Sequence, residues 1–425
     1  MIINQSLARK RWYRIIPVIF ITYSFAFLDR ANFGFAATGG MEKDLHITTE
    51  VVSLLGSLFF LGYFIFQIPG AHYAAKKSVK KLIFWSMILW GLFAVATGLV
   101  SNVNLLIAIR FMLGVVESAV MPAMLILLSN WFTKKERSKA NTFLILGNPV
   151  TILWMSILSG YLIHSFGWRG MFIIEGIPAV IWAFIWWKMI DDKPENATWL
   201  THKEAHEIEN QLQQEQEYIK PIKNYAEAFK LRAVILLSLQ FALWSIGQYG
   251  FIMWLPSIIK AAPGMSIVET GWLSSVPYIF AIIGMLTASW FSDKTLDRKI
   301  FVWPFLLVGA LAFYGSYLIG PGHFWGSYIL LVIAGSAMYT PFGPFFAVIT
   351  EILPRNVAGV SIALINSMGA LGSFIGSYIV GFLNGATGGF SASYIFMSVA
   401  LLLSALLTMA AIKTETIRNY SDKPV

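Results

Sequence analysis

The sequence predicts an all-α membrane protein of twelve transmembrane helices, arranged as two six-helix bundles with both termini cytoplasmic. Three observations predict it. Of the 425 residues, 57% are hydrophobic and 12% charged, whereas soluble domains run at roughly 45–50% apolar and about 25% charged. With a mean hydropathy of +0.67, lipid is the main solvent, and a soluble domain is excluded. A helical span takes about 20 apolar residues, so twelve spans use nearly the whole apolar complement. Finally, Lys+Arg 31 against Asp+Glu 22 leaves the chain basic, but the basic residues fall in short clusters between apolar runs instead of forming a face. That is a topology signal, and no nucleic-acid partner is expected. The absence of cysteine excludes disulfides, thiolate metal sites and cysteine nucleophiles.

The first run follows Arg9, Lys10, Arg11 and Arg14. It is too long for a removable signal peptide and lacks a small-residue cleavage site, so it reads as an uncleaved span. Further runs centre near residues 61, 91, 116, 150, 180, 245, 278, 310, 336, 370 and 401. Each is about twice the length of a barrel strand, without alternation, and is read as a helix. Basic clusters lie at the N-terminus, at 76–81, 134–139, 188–232 and 294–299, and in the C-terminal tail, while alternate loops are nearly uncharged or acidic, as at Glu42, Asp44 and Glu50. The positive-inside rule then places both termini in the cytoplasm and requires an even number of spans. The chain is expected to be a multi-pass protein of the cytoplasmic (inner) membrane, surrounded by lipid and working as a monomer.

The one long polar stretch divides the chain into residues 1–190, a linker over 191–230, and residues 231–425. Within it Thr201 and Glu204 have capping-box spacing and Ala205, Ile208 and Leu212 recur at helical period, which predicts a short surface helix. Asn196-Ala197-Thr198 is a formal glycosylation sequon without meaning in a cytoplasmic loop. An internal repeat supports the division. Ala75-Lys76-Lys77-Ser78-Val79-Lys80-Lys81 follows the second span and Asp293-Lys294-Thr295-Leu296-Asp297-Arg298-Lys299 follows the eighth, with basic residues at the same three positions of each. Two similar six-span halves are a transporter design.

Charges in hydrocarbon cost from about 2.5 kcal/mol upward, and four stand out: Asp29 and Arg30 late in span one, Arg110 and Glu117 in span four. At 1.5 Å per residue, Asp29 lies about 8 Å below the outer face, Arg110 about 9 Å and Glu117 about 20 Å. Asp29 and Arg110 are therefore level and able to pair. Arg110, Gly114 and Glu117 share a helix face at i, i+4, i+7, and the glycine admits a close neighbour. Arg30 is rotated about 100° from Asp29 and can face a central cavity. All four could be a static ion-pair network. The functional reading is preferred because apolar surroundings disfavour a charged carboxylate and fit it to load and release a proton, while a guanidinium fork matches a substrate carboxylate.

The second half offers polarity without charge. Gln240, Trp244 and Gln248 fall at i, i+4, i+8 on span seven, with Tyr249 adjoining; Asn148 sits beside Pro149 in span five, Tyr339 precedes Pro341 and Pro344 in span ten, and Asn366 opens span eleven. Such groups often bond helix to helix. Their grouping also suits hydroxyl recognition in a shared cavity. Met112, Trp186 and Phe345 are read as packing or lipid-facing.

These residues resemble the major facilitator superfamily, and within it the anion:cation symporter family of tartrate, rhamnonate, galactonate, phthalate and 4-hydroxyphenylacetate permeases, over essentially the whole chain. The resemblance rests on Phe27-Leu28-Asp29-Arg30-Ala31-Asn32-Phe33-Gly34-Phe35-Ala36, on Arg110 to Glu117 with Ser118, Ala119 and Pro122, and on Asn130-Trp131-Phe132 with Glu136, Arg137 and Ala140. Asp191-Asp192-Lys193-Pro194 leading to Trp199-Leu200-Thr201 resembles the hydroxyphenylacetate and rhamnonate branch. The resemblance implies a proton-coupled symporter of a small organic anion (a sugar acid, hydroxy-dicarboxylate or aromatic carboxylate) working by alternating access. Asp29 and Glu117 would be the protonation sites, Arg30 the substrate anchor and Arg110 the charge partner. Asn148 and Asn366, with Gln248 or Gln240 and Tyr63 or Gln67, fall at substrate-contacting positions, and Trp244 shares their helix face. Asp293, Lys294 and Arg298 form an intact gating motif, whereas the first copy carries Ala75 for an aspartate and Ser78 for a glycine, which implies a weaker cytoplasmic lock. A uniporter or anion exchanger on the same scaffold is the alternative.

An enzyme would need clustered nucleophiles or metal ligands. No two of the six histidines fall at i, i+4 within a span; His202 and His206 have that spacing on the surface helix, with no third ligand nearby. No metal, cofactor or channel filter is expected.

Overall fold

The computed structural model describes residues 5–216, 232–295, 297–320, 322–352 and 355–411; residues 217–230 of the expected linker, residue 231 and basic tail positions 412–425 lie outside them. No strand occurs among the described residues. The helices are α1 (Gln5–Ala36), α2 (Thr49–Lys76), α3 (Val79–Leu99), α4 in two pieces (Val103–Glu117 and Val120–Trp131), and one helical run over Lys134–Met189. The linker helix (His202–Gln216) follows. The second half holds α7 (Arg232–Lys260), α8 (Ile267–Thr295), α9 (Trp303–Ile319), α10 in two pieces (Phe324–Tyr339 and Phe342–Ile352), α11 (Arg355–Thr387) and α12 (Ser391–Ala411).

Eleven described stretches are long and apolar enough to cross a bilayer, one of them the 51-residue Lys139–Met189. As a rod that stretch would measure about 76 Å, more than two hydrocarbon cores. It turns at Gly167, whose φ of 68° suits a residue without a β-carbon. Packing on α1 shows the reversal. Trp12 meets Phe143 and Gly39 meets Ile163, in parallel order, whereas Thr22 meets Trp182 and Asn32 meets Glu175, in antiparallel order. Residues 134–166 (α5) and 168–189 (α6) are separate crossings, and the spans among the described residues number twelve, as the sequence predicts.

α4 and α10, equivalent helices of the two halves, break at corresponding places. Pro122 and Pro344 each lack the N–H that would bond the carbonyl four residues earlier, on Ser118 and Thr340, and the helices are interrupted at 118–119 and 340–341. Glu117 is thereby left at a helix break near the membrane centre, the geometry discontinuous transporter helices use.

Two of the motifs that carry the family resemblance, at 130–136 and 191–201, converge at the cytoplasmic end of the first half. Arg11, fully buried, donates to the Trp131 carbonyl (2.5 Å) and pairs with Glu136 (3.0 Å). The Trp131 indole donates to the Asp191 carbonyl (2.8 Å) and stacks on Trp199 at 5.4 Å. Asp192 accepts from Ser78 Oγ (2.5 Å) and Lys80 N (2.8 Å), and Asp191 pairs with Lys80 (2.9 Å). The α2–α3 loop, with Ala75 in place of an aspartate, thus takes its carboxylates from the end of α6. In the second half Asp293 and Arg298 pair with each other at 2.5 Å, and Lys294 lies over Trp290. The linker helix forms as predicted: Glu204 accepts from Thr201 N (2.8 Å) and Oγ1 (3.0 Å), and Ile208 and Leu212 pack on Leu7. Glu204 is held below the usual carboxylate range, first by the Thr201 backbone N–H.

Large apolar side chains project from the outer faces of α3, α6, α9 and α12, including Trp85, Phe184, Leu318 and Leu406, which suits a lipid-facing belt. The two halves meet at their non-cytoplasmic ends. Thr38 Oγ1 lies 2.8 Å from Ser257 Oγ, Gly160 of α5 packs on Ile267 and Gly271 of α8, and Gly381 of α11 packs on Ser53 and Trp254. Further in, Ser367 Oγ donates to the Phe64 carbonyl (3.1 Å). This is an outer seal between the halves.

Candidate functional site

On α1, α2, α5, α7 and α11, residues about two to four turns toward the cytoplasm from the seal contacts line a common cavity. They include Tyr23, Phe27 and Arg30 of α1, Phe60, Tyr63 and Gln67 of α2, Asn148 of α5, Ser245, Gln248 and Tyr249 of α7, and Asn366 and Ser373 of α11. Met121 of α4 and Phe342 and Phe346 of α10 close it from the broken helices. About 640 Å³ of space free of protein lies within, part of it open to solvent. Its position between the halves, near the bilayer middle, is where alternating-access carriers bind.

Arg30 is the cation on the cavity wall. Its Nε donates to Glu117 Oε2 at 3.3 Å, and the two side chains are 7% and 0% exposed. Its guanidinium carbon lies 4.7 Å from the centre of the Tyr63 ring, 5.3 Å from that of Phe27 and 5.6 Å from that of Phe59. This aromatic cage holds the planar fork in place. Nη2 of Arg30 and Oε1 of Glu117 have no hydrogen-bond partner among the described residues. The Tyr63 and Tyr249 hydroxyls also interact with the guanidinium, and these two atoms, Nη2 and Oε1, remain for another group.

Behind this pair, Asp29 is buried and accepts a long 3.4 Å hydrogen bond from Asn32. The level pairing of Asp29 with Arg110 is not an ion pair within 4.0 Å. Arg110 Nε donates instead to the Leu55 carbonyl (3.3 Å), and its guanidinium lies 4.5 Å from the centre of the Phe33 ring. Being level sets depth but not rotation about the helix axis. Asp29 and Glu117 remain the carboxylates that act on Arg110 electrostatically. Gly114 allows this packing, since a β-carbon there would run into the Phe59 carbonyl oxygen.

Over residues 19–377, and again over 264–424, the sequence matches the family described as the Major Facilitator Superfamily. The chain belongs to that superfamily. It is 30% identical to the "Quinolone resistance transporter" of Acinetobacter baumannii, over 95% of this chain and 94% of that one. It is 32% identical to a "Putative tartrate transporter" of Agrobacterium vitis, over 98% and 95%. The solved structure of a D-xylose-proton symporter superposes with a TM-score of 0.76 at 14% identity, covering 94% of this chain and 98% of that one, a likeness of fold. This major facilitator chain is a multi-pass membrane transporter, not an enzyme, and its relatives agree with the anion:cation symporter branch read from its motifs.

Of the predicted site residues, Arg30, Tyr63, Gln67, Asn148, Gln248 and Asn366 come together on the cavity wall. Gln240 and Trp244 do not. Gln240 Nε2 donates to Ser404 Oγ (3.1 Å) of α12, and the Trp244 indole donates to the Met338 carbonyl (3.0 Å) of α10. Both are spent on helix-to-helix bonds, because their face of α7 turns to the second half's own core. Tyr23 was not singled out by the sequence, and nothing in its apolar context distinguishes it. Glu175 and Asn32 were also missed as site residues. Glu175 interrupts an apolar run as plainly as Glu117 does, so the cost of burying a charge would have found it.

Proposed function

We propose that the protein is a proton-coupled symporter of small organic anions that bear a carboxylate and further hydroxyls or a ring. The observation that carries this reading is Arg30, caged by aromatics on the cavity wall, bonded to Glu117 on one side and without a protein partner at Nη2. An ionised Glu117 competes with an incoming carboxylate for the guanidinium. A proton on Glu117 removes the competitor, and the freed fork takes the substrate. Asn148, Gln248 and Asn366 supply the hydroxyl contacts. Asp29 is the second protonation site and Arg110 its charge partner. The bundles of residues 1–190 and 231–425 rock about the site, joined by the linker over 191–230, while Asp293, Lys294 and Arg298 gate the cytoplasmic side. The relatives named for tartrate and for galactarate/D-glucarate support an anionic cargo.

The test is purified protein in proteoliposomes under an imposed pH gradient, with tartrate and D-glucarate as probes chosen after a thermal-shift screen of carboxylates. Wild type should concentrate a screened acid and carry protons with it. Glu117→Gln should still exchange labelled for unlabelled substrate but lose uphill accumulation. If Glu117→Gln accumulates substrate under the gradient, Glu117 is not the coupling site. The relative named for quinolone resistance makes export the second reading, and the direction of accumulation under the same gradient separates the two.

A further inference from the structure

The membrane-buried cluster contains a third carboxylate that the exchange at Arg30 and Glu117 does not use. Glu175 is 5% exposed and lies about 11 Å below the outer end of α6. Its Oε1 accepts from Ser159 Oγ of α5 (2.8 Å) and its Oε2 from Asn32 Nδ2 of α1 (2.8 Å). The same Nδ2 donates to Asp29 Oδ1 at 3.4 Å, so one amide nitrogen joins two carboxylates. Asn32 is fully buried, and its Oδ1 has no partner among the described residues. The facing stretch of α3 is apolar, with Gly91, Ala94 and Val95 against Gly176. Among the described groups, Asp29 is the one titratable side chain that acts on Glu175 electrostatically.

The charges do not balance if every group is ionised. Asp29, Glu117 and Glu175 would face two guanidiniums, Arg30 and Arg110, leaving one uncompensated anion in hydrocarbon, where charge must be paired. Two carboxylates sharing one donor disfavour joint ionisation. The same amide that bridges them carries a buried acceptor without a donor, Asn32 Oδ1, and an unsatisfied acceptor is the complement of a carboxylic O–H.

We propose that Asp29 and Glu175 form a coupled pair across Asn32 that retains one proton between them, which makes the resting cluster electrically neutral. Its consequence rests on the symport reading above. A proton added at Glu117 gives the cluster one positive charge, and one carboxylate bound at Arg30 cancels it. The loaded carrier is then neutral for a singly charged acid taken up with one proton, and a dianion such as tartrate needs a second proton, on the Asp29–Glu175 pair.

Infrared difference spectroscopy on the purified, substrate-free protein tests the pair through the carboxylic acid C=O band. Wild type at neutral pH should show a protonated-acid band that is missing from Glu175→Gln, an isosteric change, and that bleaches as pH is raised. Asn32→Ala, which breaks the bridge, should move the bleaching midpoint by about one pH unit, a tenfold change in proton affinity. Should Glu175→Gln fail to fold, Ser159→Ala probes the same carboxylate from α5 and should also move the midpoint. A band of equal size in wild type and Glu175→Gln would overturn the proposal, as would a midpoint unmoved in both Asn32→Ala and Ser159→Ala. The measurement uses no substrate. A band that behaves as expected in a protein without proton-driven flux leaves the pair standing and refutes the symport reading; intact flux with no such band does the reverse.

Discussion

At the scale of single residues, the site turns on the difference between a guanidinium and an ammonium. Arg30 bonds Glu117 through Nε and keeps Nη2 for another ligand, while three rings fix its plane. Lysine at this position would keep the charge but offer a single donor centre to two claimants. Arg30→Lys should therefore lose one charge-assisted hydrogen bond to the substrate, about 2 kcal/mol, or roughly thirtyfold in apparent affinity. Its melting temperature should stay close to wild type, because the cation remains to balance Glu117. Saturation curves of uptake in proteoliposomes check the first expectation and thermal unfolding the second; unchanged affinity would remove Arg30 as the anion anchor. Arg30, Asp29 and Glu117 were legible in the sequence because charge in an apolar run demands a reason. The orientation of Gln240 and Trp244 was not, since helical period gives the angle between side chains on α7 but not which neighbour each one meets.

Among elements, the linker helix and the α2–α3 loop depend on carboxylates supplied from nearby. The capping box of Thr201 and Glu204 was readable from its spacing, and the structure adds Lys10, whose Nζ is 3.2 Å from Glu204. The caps by Asp191 and Asp192 were not readable, since pairing the end of α6 with the start of α3 requires knowing that the two helices lie antiparallel. The turn at Gly167 was legible as the gap between the runs centred near 150 and 180, which holds His164 and Arg169, although the residue that makes the turn was not. Glu204 carries a testable pH dependence. Its carboxyl is held below its ordinary range mainly by the Thr201 N–H. The stabilisation it gives is therefore complete above the unfolded carboxylate range and lost as pH falls through the lower, folded value. The protection of the 202–206 amides, taken relative to the intrinsic exchange rate at each pH, should fall on acidification into that range and stay flat above it. Thr201→Ala should weaken the same amides at all pH values by about 1 kcal/mol. Protection that is insensitive to acid would show that the cap contributes nothing to the docked helix.

For the whole molecule, the outer seal and the cavity beneath it imply a second arrangement in which the seal parts and the cytoplasmic ends close. The seal is built on close backbone approach: a β-carbon at Gly34 would run into the Met253 carbonyl oxygen. Because the chain has no cysteine, paired cysteines report this contact without background. Thr38 and Ser257 stand 2.8 Å apart at their hydroxyls on opposite halves. Thr38→Cys with Ser257→Cys should therefore cross-link under mild oxidation, stop transport, and recover on reduction. Adding Gly34→Val should disfavour the sealed state, and a bias of about 1.4 kcal/mol would shift the equilibrium between states tenfold. The cross-linking rate should fall in step, while a label placed in the cavity becomes reachable from the non-cytoplasmic side. If the pair cross-links fully and transport continues unchanged, the two halves do not separate at this seam. The carrier would then have to expose its site by a motion other than the rocking of one bundle against the other.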